Sequence, residues 1–280
     1  MSGEQSSRRR WAGRLLLLLV ALPGVGVCVL AAVEQVRVQL WKLDLRDPDP
    51  AVRMQALLRI ARERDRRAAA EVFAVLAREQ DRAALEVAGY AVMRMRDLQG
   101  VARLRERAET GPDDAVSARL MIYAARLSRR DCRLTDWLSN TAASAGPWRR
   151  VGAALGLLEL GQPRGGEMLI ELARQAEPAI RALALGEFRR TAEPMAQAVG
   201  RRIDWPDARE ASADDPRWAG LRAFWQRHAT VPLLNDVLTR LHGRDEKWHQ
   251  LDRLVHSRNK LAPWLAPEAP PAADPPAPPS

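Results

Sequence analysis

Lysine is almost missing from this sequence. Of 44 basic residues only Lys42, Lys247 and Lys260 are lysines, and the rest are arginine. Together with abundant alanine, such a bias is what a GC-rich coding sequence produces. The net charge of +9 therefore reads first as background and second as a selected basic surface for nucleic acid or anionic lipid. Cysteine is scarce too. Cys28 lies in a hydrophobic run and Cys132 far outside it, so no disulfide framework holds the fold, and the redox compartment stays open. Two Tyr, three Phe and few β-branched residues against much Ala, Leu and Arg favour helix over strand.

Chemistry-bearing motifs are lacking as well. No GxSxG, HExxH, Walker-type loop or CxxC occurs. The four histidines (His228, His242, His249 and His256) all fall near the C-terminus. The last three are spaced by seven, which sets neighbours about 10 Å apart on a helix, too far to share a metal ion. Gly165-Gly166 reads as a turn between helices, since neither a strand nor a GK[ST] accompanies it. Cys132 reads as an unactivated, partly buried thiol. The sequence points to a non-enzymatic protein with no metal, no cofactor and no small-molecule substrate.

What is present begins with an uncharged run of 19 residues, Leu15 to Val33. As a helix it would span about 28 Å, close to a bilayer's hydrocarbon core of ~30 Å. Arg8, Arg9, Arg10 and Arg14 precede it, and Trp11 and Trp41 lie near its edges. It reads as an uncleaved transmembrane helix. The alternatives are a cleaved signal peptide, with Val29-Leu30-Ala31 as a tolerable site, and a buried core helix. Pro23-Gly24 would kink such a helix without ending it. The arginine cluster places residues 1–14 in the cytoplasm as a basic tail and everything after the span outside, which is the periplasm in a bacterium.

Residues 34–45 read as a helical stalk. A repeat follows. Asp49 caps a helix that opens at Pro50 and carries Val52, Ala56 and Ile60 at helical spacing. After Asp65 a second helix shows Ala69, Val72, Phe73 and Leu76. The skeleton Pro50-x-x-Arg53-x-x-Ala56 returns as Pro147-x-x-Arg150-x-x-Ala153 and Pro178-x-x-Arg181-x-x-Ala184, with Ile180 inside the last copy. Pro112 and Ala118 keep the outer positions of a further copy, and a unit starting near Asp81 lacks the proline. The period is about 31–35 residues, room for two short helices and two turns.

This pattern resembles HEAT repeats of the short bacterial type. DPDPAVRMQALLRIA at 47–61 is the fullest match and EPAIRALAL at 177–185 the next. The resemblance covers residues 46–203 as about five helix pairs and implies an all-α solenoid. It also implies that aspartate and arginine of successive first helices pair along the stack, with Asp49, Arg53, Arg150 and Arg181 in those places. Some HEAT-like proteins are DNA glycosylases with an aspartate beside aromatic residues. Asp136-Trp137 and Asp204-Trp205 have that composition, but neither aligns to such a site.

Residues 204–261 depart from the repeat and read as a terminal cap of three helices, starting after Pro216, at Pro232 and near Asp245. Residues 262–280 are rich in Pro and Ala and read as a disordered tail. The fold class expected is an all-α solenoid of HEAT-like helix pairs behind a single N-terminal transmembrane helix. The function expected is a membrane-anchored scaffold for protein partners at the membrane. A basic HEAT-type nucleic-acid-binding or DNA-repair protein is the alternative, and a HEAT-like lyase has fold analogy alone behind it.

Overall fold

The computed structural model describes residues 32–128 and 132–243, and all of their regular structure is helical. The basic tail, residues 15–31 of the apolar run, the third cap helix and the 262–280 tail lie outside the described residues. So do the Cys132 thiol and the side chains of His242, His249 and His256. Among the described residues no helix is long and apolar enough to cross a membrane.

Among the described residues twelve α-helices follow in order. The first, α1, covers 32–44. Then come α2 (Pro50–Glu63), α3 (Ala69–Arg78), α4 (Arg82–Met95), α5 (Gln99–Thr110), α6 (Ala115–Leu127) and α7 (Cys132–Ser144). The rest are α8 (Pro147–Glu159), α9 (Pro163–Gln175), α10 (Pro178–Ala198), α11 (Pro216–His228) and α12 (Val231–Gly243). A short 3-10 turn, Arg66–Ala68, precedes α3. Start signals recur: Pro opens α2, α8, α9, α10 and α11. Its missing N–H is one of the donors a first turn leaves unpaired anyway. Asp49, Asp81, Asp114 and Asp215 cap α2, α4, α6 and α11 by accepting amide hydrogens of the next residues.

Packing is sequential, and the substantial contacts join helices that are adjacent or next but one in the chain. The even helices form one row, α2 on α4, α4 on α6, α6 on α8, α8 on α10 and α10 on α12. On the other side α3 packs on α5 and α9 on α11. This is the arrangement of a helical solenoid. Residues 46–203 hold four helix pairs and then the single long helix α10, where about five pairs were expected. Beyond residue 203, α11 and α12 take places in the same two rows.

The middle even helices are buried almost all round, as in α8, where Val151 to Glu159 are all buried. Small residues make this possible. A Cβ on Gly152 of α8 would run into the backbone of Ala118 in α6, with its carbonyl oxygen at 2.8 Å. Two apolar clusters fill the space between the rows. One runs from Val38 to Leu157, the other from Ile122 to Leu238, and α8 contributes to both.

The segment expected as a stalk is a helix laid onto this body. Val38 and Trp41 of α1, and Leu45 just after it, are buried in the first cluster. Burying three such side chains stabilises the contact by roughly 1.5–3 kcal/mol each. Lys42 also pairs with Glu71 of α3 at 3.0 Å.

Candidate interaction surface

The residues of the repeated skeleton occupy equivalent places. Pro50, Pro147 and Pro178 open their helices, and Ala56, Ala153 and Ala184 are fully buried between rows. Ile180 is buried and Val52 half-buried. Of the aspartate–arginine pairs that the family resemblance implied, Arg82 of α4 with Asp114 at the start of α6 is present at 2.7 Å, but Arg53, Arg150 and Arg181 make other contacts. Asp49 accepts from the amide of Ala51 on its own helix, at 2.8 Å. Arg53 instead makes a two-pronged pair with Glu79 at the end of α3, both contacts at 2.7 Å, and donates to the carbonyls of Asp47 and Pro48. Arg150 donates to the Ala142 carbonyl of α7 at 3.2 Å. Arg181 donates to the Ala173 and Ala176 carbonyls at the end of α9, at 3.1 and 2.9 Å.

These contacts give the arginine bias a structural use that composition alone did not suggest. Helix C-termini leave carbonyls without intrahelical partners. A guanidinium with five donors in a planar fork can satisfy several of them at once, which an ammonium cannot match. Arg66 bonds the Met95 and Arg96 carbonyls, Arg107 that of Glu79, and Arg149 those of Ala108 and Gly111.

Six charged residues form a second constellation on the even row, buried at its centre and partly exposed at Arg119 and Arg190. Glu86 of α4 pairs with Arg119 of α6, and Arg126 of α6 pairs with Glu159 of α8. Arg126 also reaches Glu187 of α10 at 3.8 Å, and Arg190 of α10 reaches Glu159 at 3.7 Å and Glu187 at 3.5 Å. Three cations meet three anions. Arg126 and Glu159 at its centre are only 7% and 8% exposed. Arg126 thus ties α6 to α8 and, past it, to α10. Tyr123 donates to Glu86, and Tyr90 lies edge-on to Tyr123 at 6.0 Å. Burial raises both phenols, Tyr90 to about 12.

Exposed apolar surface concentrates elsewhere. Among the described residues six large hydrophobic side chains are more than half exposed or close to it, and four of them are on α1. Val33, Val36, Leu40 and Leu43 are 59%, 59%, 54% and 62% exposed. Beside this helix, Leu45, Arg46, Ala70, Glu71, Ala74 and Arg78 line a shallow cavity of about 410 Å³.

The remaining candidates of the sequence do not assemble. Asp136 is exposed while Trp137 is in the core. Asp204 is exposed while Trp205 packs on Phe188 and Arg189. His228 lies against the Phe224 ring. Gly165-Gly166 is not a turn: both residues are buried in the first turn of α9. Side chains there would strike the backbone of α8 and the indole of Trp225, whose Nε1 donates to the Pro163 carbonyl at 2.8 Å. Among the described residues no group of three or more His, Cys, Asp or Glu is arranged to hold a metal ion.

The geometry defines an all-helical, repeat-like protein. No family model, curated protein or solved structure matches the chain.

Proposed function

We propose that this chain is a HEAT-type repeat scaffold held at a membrane by residues 15–33, presenting its helical stack to protein partners outside the cytoplasm, without catalysis or cofactor. The observation that carries the reading is the two-faced α1. Its Val38 and Trp41, with Leu45 just beyond its end, are buried on the stack, while Val33, Val36, Leu40 and Leu43 stand in solvent. Exposed apolar patches of this kind mark interaction sites. The helix follows the apolar run without a linker, since Val33 belongs to both. A membrane segment would therefore be coupled firmly to the stack, and anchoring would raise the stack's effective concentration for membrane partners. The 31–35-residue period and the two-row packing support the HEAT assignment.

The test is a topology reporter fused after residue 45 and at the C-terminus of the full chain. Export-dependent activity at both positions, with the chain retained in membranes after carbonate extraction, is the expected result. Reporter activity confined to the cytoplasm would overturn the orientation and the localisation together.

A further inference from the structure

The exposed stripe of α1 is evenly spaced and stands apart from the buried one. Val33, Val36, Leu40 and Leu43 are separated by three, four and three residues. That is the a and d pattern of a helix–helix seam, with Val33 and Leu40 at a and Val36 and Leu43 at d. At 100° per residue the four lie within an arc of roughly 80°, and the buried trio is centred roughly 150° away. The two faces of α1 are thus separate, and occupying one leaves the other free.

We propose that this stripe is the seam of a parallel homodimer, in which the α1 helices of two copies of this chain lie side by side in register. The inference rests on the reading of residues 15–33 as a membrane segment. Membrane insertion would hold both copies in the same orientation and put the two α1 helices at the same height above the bilayer. Four seam positions are too few for an isolated coiled coil, which needs about three or four heptads. The preceding run of chain ends on the stripe's own first residue, so confinement of that run supplies the proximity the short seam lacks.

The flanks of the seam suit a second copy. In a parallel pair, Ala32 of one copy faces Arg37 of the other, and Gln39 faces Asp44. No like charges oppose each other across the interface. The charged residues near the stripe are already engaged within the chain. Arg37 pairs with Glu34 at 2.9 Å and lies over Trp41, and Asp44 pairs with Arg59 at 3.6 Å. A bilayer-lying helix would instead present free basic residues beside its apolar face.

Disulfide trapping in membranes tests this on the full chain with Cys28→Ala and Cys132→Ser as background. Single cysteines at positions 36, 40 and 43 (V36C, L40C, L43C) should give several-fold more cross-linked homodimer than Q35C, which faces away from the seam. Adding L40E to V36C should abolish the cross-link while the thermal unfolding midpoint stays unchanged, because Leu40 is exposed. Equal trapping at all four positions, trapping only to a different protein, or labelling of the stripe by a lipid-soluble maleimide with no homodimer would each overturn the proposal. Carbonate extraction of the same membranes keeps the two readings apart. Release of the chain overturns the anchor, whereas a retained chain without homodimer overturns the seam.

Discussion

Glu79 closes α3 with its side chain 4% exposed, and three sets of donors converge on its carboxylate. Arg53 supplies two, and the amides of Gln80 and Asp81 one each at 3.0 Å. Burial alone would raise this carboxyl, but Arg53 and the two amides outweigh it and hold it below the usual range. The folded state therefore binds the Glu79 proton less readily than the unfolded chain does. Its contribution to stability is present above the unfolded value of about 4.3 and is lost as pH falls through the lower folded value. Glu79→Ala should cost about 2–3 kcal/mol in urea unfolding at neutral pH, because it leaves a half-buried guanidinium without its anion. Glu79→Gln should flatten the loss of stability below about pH 4.3 relative to the parent. An unchanged acid limb in that variant would show that other carboxylates govern it. This residue was invisible to the repeat skeleton, which flagged Arg53 but not the glutamate 26 residues later. Nothing in the local pattern distinguishes a glutamate that caps a helix end from one on a solvated face.

The helices themselves were largely legible. Proline starts and apolar spacing located α2 and α3 and the openings of α8, α10, α11 and α12 within a residue or so. Such signals are local and need no knowledge of the neighbour. What local signals could not give is how closely two helices approach. Gly152 marks the tightest crossing, where α8 lies against the backbone of α6. Gly152→Ala should destabilise by about 1–3 kcal/mol, since rigid backbone and not a flexible side-chain end stands in the way. Gly186, exposed in α10 with no atom within 4 Å of the methyl an alanine would add, is the matched control. Gly186→Ala should stabilise by about 0.5–1 kcal/mol through helix propensity alone. Chemical denaturation of the two variants side by side reads both signs. The same limit explains Gly165-Gly166. A glycine pair after Pro looks like a turn until the partner helix that requires it is known.

On the scale of the molecule, ion pairs tie together helices one and two places apart along the even row. Arg126 connects α6 to α8 and, past it, to α10. Arg126→Ala should cost about 3–5 kcal/mol by urea unfolding, because Glu159 and Glu187 would keep a buried charge with one cation fewer. Small-angle scattering should then show a larger radius of gyration as α10 moves away from α6. Stability lost without any change in dimension would mean that apolar packing, not the ion network, holds α10 beside α6. The partners in this network, Glu86 with Arg119 and Arg126 with Glu159, are each 33 residues apart. That separation equals the repeat period, so the network is a property of stacking. It appears only when successive helices are laid on one another.

By itself the sequence determined that the chain is helical, where most helices begin, and that they recur about every 31–35 residues. Caps, prolines and apolar spacing act within one or two turns and are written out residue by residue. Tertiary structure decided what the arginines do, since carbonyls at helix ends and carboxylates one repeat away come within reach only after stacking. It also decided that the helix after the apolar run has two faces. Val36 and Val38 are alike as letters in a sequence, and only the docking of α1 buries one and leaves the other in solvent.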